Sequence, residues 1–265
     1  MVKYSKVVLI GSGNVATVLG RMIVQAGHTI VQVLGRDAEA AGLLANELQA
    51  GAITEYKRLS LQADIYIIAV SDTAVAEVAA ALQLPGKLLV HTTGSVAKQI
   101  LQNSSNTYGV LYPLQSLRKE NKLQPLIPLL VDGCDEYVTE QVTLFANSLS
   151  PMVQKATDEE RFKLHIGAVF SSNFTNHLYT LADFFCQEEQ IDFSLLIPLI
   201  LETANRLRNH VPSSVQTGPA ARGDRETIQK HLAYLNTYPG LPEIYRLLTD
   251  SIIDFQVKNT VGNRK

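Results

Sequence analysis

A glycine-rich segment near the start of the chain, Gly11-Ser12-Gly13-Asn14-Val15-Ala16, has the residue types and spacing that hold a dinucleotide pyrophosphate. It directly follows an apolar run and directly precedes a helical pattern, which is the context that this fingerprint requires. Gly11 permits the tight turn, Gly13 lacks the Cβ that would block a phosphate, and the small Ala16 lets helix and strand pack closely. The helix N-terminus then offers unpaired N–H groups and a positive dipole end to the phosphates. A tight turn without a ligand is the alternative.

The end of the second predicted strand bears on the choice between NADP(H) and NAD(H). An NAD-selective site places an acidic residue there, about 20 residues past the glycines, to bind the ribose 2′-hydroxyl. Gly35 and Arg36 stand there instead; the glycine leaves room, and a guanidinium can bind a 2′-phosphate through two hydrogen bonds. The sequence therefore favours NADP(H), with an ordinary surface charge as the alternative for Arg36. The neighbouring Asp37 is acidic and therefore makes the preference for NADP(H) less clear, but it is also suited to cap the next helix.

Polar residues follow three further predicted strands, and ligands of doubly wound sheets bind beyond such strand ends. The segments are 70–73, 91–95 and 112–116. The candidate cofactor contacts among them are Val70, Ser71 and Thr92. The candidate substrate contacts are His91, Ser95 and Gln115. Each segment alone reads as a turn, but three of them at one sheet edge favour a binding site.

A long helical pattern in the second half of the chain, from Asp158 to about Cys186, carries a mostly apolar stripe at positions 162, 166, 170, 173, 174 and 177. Asn173 interrupts this stripe, and His165 lies at its edge two turns earlier. We expect the amide to be buried, and a buried amide needs a partner in a structural network or on a ligand. His165 and Asn173 are therefore the candidate catalytic residues. A satisfied core amide beside a half-exposed histidine is the structural alternative.

The segment 217–224 joins two later helical patterns and contains Gly218, Pro219 and Gly223. Asp224 at its end is expected to cap the helix that begins at Arg225. Arg222 lies between small residues, where it could bind an anionic group of a substrate or be an exposed loop charge.

The elements that must position these residues alternate up to about residue 155. Apolar runs predict strands at 7–10, 29–34, 65–70, 87–91, 108–111, 126–131 and 152–153. Helical patterns lie between them at 15–26, 38–50, 74–82, 96–101 and 136–149. This alternation predicts a doubly wound parallel sheet covered by helices. Later patterns are helical only, so we predict an α/β domain over residues 1–155 and an all-helical domain over residues 156–265.

The composition excludes several classes of protein. Of the 265 residues, 46% are hydrophobic and 18% are charged, which is typical of a globular protein with a core. A formal charge of −2 gives no indication of a nucleic-acid partner. No apolar run approaches the about 20 residues of a membrane helix, and the N-terminus lacks a signal-peptide core. The two cysteines have no partner at metal or redox spacing, which predicts no metal site and a reducing, cytoplasmic location.

The chain resembles known oxidoreductases. Its first half is similar to the NADP-binding domains of pyrroline-5-carboxylate reductase, deazaflavin-dependent NADP oxidoreductases and β-hydroxyacid dehydrogenases. Nearly the whole chain resembles a family of NADP oxidoreductases whose second half is a domain of unknown function, through the segments 11–16, 91–95, 112–116, 165–173 and 217–224. The resemblance implies a Rossmann-type domain followed by an all-helical domain like the C-terminal part of 6-phosphogluconate dehydrogenase relatives. That domain is often used for dimerisation, which implies a homodimer.

One difference from the β-hydroxyacid dehydrogenases bears on the reaction. Those enzymes place a catalytic Lys one helical turn before an Asn on the first long helix of the second domain. If Asn173 matches that Asn, Val169 stands at the Lys position and cannot transfer a proton. His165 could then serve as the general acid, because the ordinary pKa of histidine lies near neutrality. Alternatively, the substrate is an imine that arrives already protonated.

These observations predict an NADP(H)-dependent oxidoreductase that transfers hydride to or from a small carbonyl, hydroxy or imine substrate in a cleft between the domains. The missing Lys favours the alternative of an NADP(H)-binding or sensing protein without catalysis. A methyltransferase is a more distant alternative, because glycine-rich turns also bind S-adenosylmethionine. Such sites usually carry an acidic residue where Gly35 and Arg36 lie.

Overall fold

The computed structural model describes residues 5–121 and 125–262 of the chain. Eight strands form one sheet in its first part. The strands are β1 (Lys6–Ile10), β2 (Thr29–Leu34), β3 (Gly51–Ile53), β4 (Ile65–Ile68), β5 (Leu88–His91), β6 (Thr107–Pro113), β7 (Leu129–Gly133) and β8 (Val153–Lys155). Their order in the sheet is β3-β2-β1-β4-β5-β6-β7-β8, and β1 to β6 are parallel. The predicted α/β fold class is confirmed.

Helices cover both faces of this sheet. Successive side chains of a strand point to opposite faces, so a strand that is apolar throughout needs a core on each side. Val7 and Leu9 of β1 lie in one core, and Val8 and Ile10 lie in the other. The first core is formed with α1 (Asn14–Gln25), α2 (Ala38–Glu47) and α4 (Glu136–Leu149). The second core is formed with α3 (Val75–Ala80).

The last two strands differ from the predicted parallel sheet. β7 runs antiparallel to β6, and β8 is parallel to β7. The described residues between β6 and β7 contain no helix, whereas a parallel neighbour would need a crossover of a dozen or more residues, usually helical. Two further details of the prediction are wrong. Residues 96–101 form only a short 3-10 helix, Lys98–Leu101, and β3 was not predicted.

The long helical pattern after residue 155 forms three consecutive segments. α5 (Asp158–Ala168) is followed by a π-helical segment, Val169–Phe174, and then by α6 (Thr175–Glu188). A capping box fixes the start of α5, since the Thr157 hydroxyl accepts a hydrogen bond from the backbone of Glu160 and the Glu160 carboxylate accepts one from the backbone of Thr157. The π-helical segment has more residues per turn than an α-helix, so the positions that follow it are shifted relative to a stripe counted at 3.6 residues per turn.

The remaining helices are α7 (Ile197–Arg206), α8 (Pro219–Arg222), α9 (Arg225–Leu235) and α10 (Leu241–Gly262). Asp224 caps α9 as predicted, because its carboxylate accepts a hydrogen bond of 3.1 Å from the backbone of Thr227. The chain divides into two compact units, the first ending at Thr175 and the second beginning at Asn176. The predicted domains, 1–155 and 156–265, stay a prediction. None of the helices in the described ranges is both long and apolar enough to cross a membrane.

Candidate cofactor and substrate site

The glycine-rich turn between β1 and α1 depends on two glycines for different reasons. Gly11 has a φ of +127°, and a Cβ on it would lie 2.2 Å from the carbonyl oxygen of Ala69. A Cβ on Gly13 would meet nothing within 4 Å. Gly13 also precedes α1 without any side-chain cap, so the first N–H groups of the helix face open space. The turn therefore needs Gly11 for its own folding and leaves the space beside Gly13 open to a ligand.

A cavity of about 610 Å³ opens beside this turn, at the carboxyl ends of β1, β2 and β4. Its lining includes nine of the predicted cofactor contacts, which are Gly11, Ser12, Gly13, Asn14, Val15, Gly35, Arg36, Val70 and Ser71. The other two predicted contacts do not line it. Ala16 is fully buried behind the turn, and the Thr92 hydroxyl donates to the carbonyl of Ile68 in the sheet. The size of the cavity, the glycine-rich turn and the basic side chain in its lining suit the adenosine and pyrophosphate parts of a dinucleotide.

The end of β2 closes one side of the cavity. Arg36 is exposed and forms no ion pair with any described residue, so its guanidinium is free for an anion. Gly35 does not leave an open gap as expected, because a Cβ there would lie 3.0 Å from both the Ser12 hydroxyl and the Ala41 methyl group. Asp37 caps α2 as predicted, accepting hydrogen bonds of 2.9 and 3.0 Å from the backbone of Glu39 and Ala40.

Tyr56 also lines the cavity, on the 3-10 helix that follows β3. Burial and the Glu77 carboxylate raise the pKa of its phenol, while the charge of Arg36 opposes that shift. The ring and the guanidinium therefore share one side of the cavity. Sequence reasoning missed Tyr56, and since β3 was not predicted either, no pattern linked this tyrosine to the sheet edge.

A second group of candidate functional side chains lies at the ends of β5 and β6, against α5. His165 of α5 packs on the loop after β5, where a Cβ on Gly94 would lie 2.7 Å from its Nδ1. The Tyr112 hydroxyl is 3.1 Å from the same Nδ1, and the two rings meet edge to face. Burial and the Asp72 carboxylate raise the pKa of Tyr112, so the phenol keeps its proton and can donate it in this hydrogen bond. When the phenol donates to Nδ1, the ring proton of a neutral imidazole is on Nε2.

Two basic side chains are buried near Tyr112 and His165. Arg161, one turn before His165 on α5, is 1% exposed. His91 is fully buried, and its Nδ1 accepts hydrogen bonds from the backbone and hydroxyl of Thr93. Burial, aided by the Arg161 charge, lowers the pKa of His91 to about 4, which keeps the imidazole neutral at pH 7. His91 was expected to contact substrate directly, but its side chain lies beneath the surface.

The remaining predicted site residues are all exposed. Asn173 lies in the π-helical segment and is exposed, so the expected buried amide is wrong for the chain alone. Ser95 is exposed and donates to the Asp72 carboxylate. Gln115 is exposed and accepts from the backbone of Ser116, which is a local turn contact. Arg222 is exposed on α8, in the second compact unit.

Tyr112 and Arg161 are the candidate functional residues of this region that sequence reasoning missed or undervalued. The segment 112–116 was noted for its polar residues, but the pairing of Tyr112 with His165 spans 53 positions in the chain. Arg161 looks like a solvated charge on a helix surface. The spacing of four residues between Arg161 and His165 is the one local signal that both face the same way.

In the described part of the chain, no three His, Cys, Asp or Glu side chains lie close enough together to hold a metal ion. The residues instead fit a dinucleotide, because an open cavity meets a glycine-rich turn, a helix N-terminus without a side-chain cap and an arginine that is unpaired among the described residues. At the same edge of the sheet as the cavity, the His165 imidazole contacts the hydroxyl of Tyr112.

Comparisons with known proteins agree with this geometry. Residues 6–95 match the family described as NADP oxidoreductase, coenzyme F420-dependent, and residues 127–252 match a domain of unknown function. No protein of curated function matches the sequence. A crystal structure from Bacteroides fragilis, assigned as an NADP oxidoreductase, is 35% identical, covers 96% of this chain and 100% of its own, and has a TM-score of 0.89.

Two more distant structures share the fold. A 1-pyrroline-5-carboxylate reductase from Streptococcus pyogenes is 14% identical, with a TM-score of 0.63 and coverage of 96% of this chain and 98% of its own. A reductive aminase from Aspergillus terreus, in complex with NADPH and ethyl-5-oxohexanoate, is 16% identical, with a TM-score of 0.68 and coverage of 97% and 95%.

Proposed function

Since this chain belongs to the family of NADP oxidoreductases, we propose that it transfers hydride between NADP(H) and a small carbonyl, hydroxy or imine substrate. As a member of that family it is an NADP-dependent oxidoreductase, and its cofactor is NADP(H). The nicotinamide supplies the hydride chemistry when it is bound. The protein binds and orients the cofactor and the substrate, and it excludes water from them. The observation that carries the proposal is the cavity beside Gly11 and Gly13 with Arg36 on its wall.

In this proposal the cavity holds the adenosine and pyrophosphate half of NADP(H). The uncapped N–H groups at the start of α1 bind the pyrophosphate, next to the open side of Gly13. Arg36 binds the 2′-phosphate, since it is exposed, lines the cavity and has no competing carboxylate partner among the described residues. Ser71 and Val70 line the wall toward the nicotinamide ribose.

The reaction needs a proton at the atom next to the carbon that receives hydride. We assign this role to His165, whose Nε2 carries the proton when Tyr112 donates to Nδ1. As the Nε2 proton passes to the oxygen of a carbonyl or the nitrogen of an imine, Nδ1 takes the hydroxyl proton of Tyr112, so that the imidazole stays neutral. Solvent returns a proton to Tyr112 after turnover, and the same transfers run in reverse when the product is oxidised. Asn173 stays a candidate polar contact for the substrate, on the exposed face of the π-helical segment.

Titration with NADPH and NADH, followed by nicotinamide fluorescence, tests the cofactor assignment. We expect tight binding of NADPH and binding of NADH that is weaker by about tenfold or more. Arg36→Ala should remove this preference. Arg58→Ala should keep it, because Arg58 is exposed at the end of the 3-10 helix that begins at Tyr56 and does not line the cavity. Absence of binding by either nucleotide would contradict the cofactor assignment, and equal binding by the unaltered protein would contradict the role of Arg36.

We also propose a homodimer, formed through the apolar face that begins on α5. Phe162, Ile166, Phe170 and Phe174 are 47%, 44%, 65% and 53% exposed, although large apolar side chains rarely cluster in water without a partner. A second copy of the chain is the occupant proposed. Analytical ultracentrifugation should show a dimer that Phe170→Glu converts to a monomer, and a monomer before substitution would contradict this.

The predicted cytoplasmic location rests on the cysteine content and stays a prediction.

A further inference from the structure

Arg161 is an unusual side chain to find inside this protein. It is 1% exposed, and its Nη2 donates hydrogen bonds of 2.6 Å to the Asp158 carboxylate and to the carbonyl of Val96. Its Nε and Nη1 are buried without a partner among the residues that the structure describes. A buried ion pair is often no more stabilising than apolar residues of the same volume, and unpaired N–H groups make it less so. The contribution of Arg161 is therefore better sought in geometry than in stability.

The contacts of Arg161 and Asp158 fasten the first turn of α5 to the loop after β5. Arg161 binds the carbonyl of Val96, and Asp158 accepts hydrogen bonds of 3.2 and 3.3 Å from the backbone N–H of Lys98. Both ends of the short segment 96–98 are thus tied to one turn of helix. The start of that helix is itself fixed by the capping box at Thr157.

The loop that receives these contacts is anchored to the sheet. The Ser95 hydroxyl donates to the Asp72 carboxylate after β4, and Thr93 binds the buried His91 at the end of β5. The clamp formed by Arg161 and Asp158 therefore joins α5 to the carboxyl edge of the sheet through a loop that is held on both sides.

His165 lies on the same face of α5 as Arg161, one turn further along. Its imidazole rests on Gly94, where there is no space even for a methyl group, and its Nδ1 meets the Tyr112 hydroxyl at 3.1 Å. A small slide or rotation of α5 would separate the ring from both. Contacts one turn away on the same face control such movements of a helix most directly.

We propose that Arg161 and Asp158 are positioning residues for His165, holding its imidazole between Gly94 and the Tyr112 hydroxyl in a single neutral tautomer. The proposal rests on the proposed function, in which His165 gives the proton. The clamp keeps Nδ1 as the acceptor of the Tyr112 hydrogen bond and leaves the Nε2 proton for the substrate. Without the clamp, the ring would sample both tautomers and several orientations, and the proton would be misplaced for much of the time.

Long-range ¹H–¹⁵N NMR of the histidine rings tests the clamp without substrate or turnover, with His165→Gln used to assign the signals. The unaltered protein should show one protonated and one unprotonated nitrogen for His165. In Arg161→Met and Asp158→Asn the two nitrogen shifts should move toward each other as the tautomers mix, and Arg161→Lys should restore part of the difference. Arg206→Met, which removes a solvent-exposed ion pair with Glu202, is the matched control and should leave the shifts unchanged.

The kinetic readout is a fall in kcat of about tenfold or more in Arg161→Met, with an unchanged Kd for NADPH. Should Arg161→Met fail to fold, Asp158→Asn, which keeps the shape of the side chain, carries the same test. Nitrogen shifts of His165 that are the same in the folded variants as in the unaltered protein would overturn the proposal. Failure of the proposed function would look different, as an absence of NADPH binding or as full turnover by His165→Gln.

Discussion

The glycine-rich cavity and the His165 cluster lie at the same edge of the sheet but are built in different ways. The cavity is centred on one glycine-rich turn, with the ends of β2 and β4 around it, and the one basic side chain of its lining, Arg36, is exposed and unpaired among the described residues. The His165 cluster joins residues from three distant segments and rests on the buried charge of Arg161. Binding of a common cofactor can thus be encoded in one short motif, whereas placement of a proton donor needs contacts that only the folded chain provides.

The largest effect should come from the second region. His165→Gln removes the proposed proton donor, so turnover should fall by about 10²- to 10⁴-fold while the Kd for NADPH stays the same. Steady-state rates with NADPH and a panel of ketones and imines measure this, after a substrate has been found. His210→Gln, an exposed histidine of the second compact unit, serves as the control and should keep full activity. Full turnover by His165→Gln would show that the cluster does not carry the chemistry.

Two glycine variants separate folding from binding in the first region. Gly11→Ala should lower the free energy of unfolding by about 3 kcal/mol, because the Cβ meets the Ala69 carbonyl and φ is positive. Gly13→Ala should lower it by only about 0.5 to 1 kcal/mol, because its surroundings are open and its φ of −86° suits alanine, although alanine is a poorer N-cap residue than glycine. The same Gly13→Ala variant should nevertheless weaken NADPH binding by about tenfold or more, because its methyl group enters the pyrophosphate space.

Denaturant unfolding and NADPH titration on both proteins measure these effects. If Gly13→Ala bound NADPH like the unaltered protein, the open space beside Gly13 would not be the phosphate site.

A smaller effect should follow from Tyr112→Phe, which removes only the hydroxyl on Nδ1 of His165. Loss of one hydrogen bond that orients the imidazole should reduce turnover by about tenfold, less than the loss of His165 itself. Tyr108→Phe is matched, because this tyrosine lies on the same strand and is also partly buried, yet it does not contact His165. Equal rates for the two variants would show that the Tyr112 hydroxyl does not contribute to turnover.

The smallest effect should be at Asp37, which caps α2 and lines the cavity beside Arg36. Asp37→Asn keeps the cap but removes a negative charge near the proposed 2′-phosphate, so NADPH should bind about threefold tighter with unchanged stability. Asp37→Ala should lose about 1 kcal/mol of stability through the missing cap. Weaker NADPH binding by Asp37→Asn would show that the 2′-phosphate lies elsewhere.

The sequence predicted the first region well because its signals are local. The fingerprint 11–16, the strand ends and the cap at Asp37 all depend on neighbours within a few positions, and so does the cap at Asp224 in the second compact unit. The reversal of β7 was missed because the residues between β6 and β7 look like any other connection.

The second region could be predicted only in part. His165 was identified from its place on a helix, but its contacts with Gly94 and Tyr112 come from segments 71 and 53 positions away. The burial of Arg161 cannot be read from a helix rich in charged residues. Asn173 was expected inside an apolar stripe, yet that stripe is exposed in the single chain and the register changes in the π-helical segment.

A crystal structure with NADPH tests the link between the two regions most directly. We expect the pyrophosphate on the turn of Gly11 and Gly13, the 2′-phosphate on Arg36, and the nicotinamide C4 close enough to His165 for a substrate to touch both. A nicotinamide more than about 10 Å from His165, beyond hydrogen-bond or one-water reach, would contradict the account.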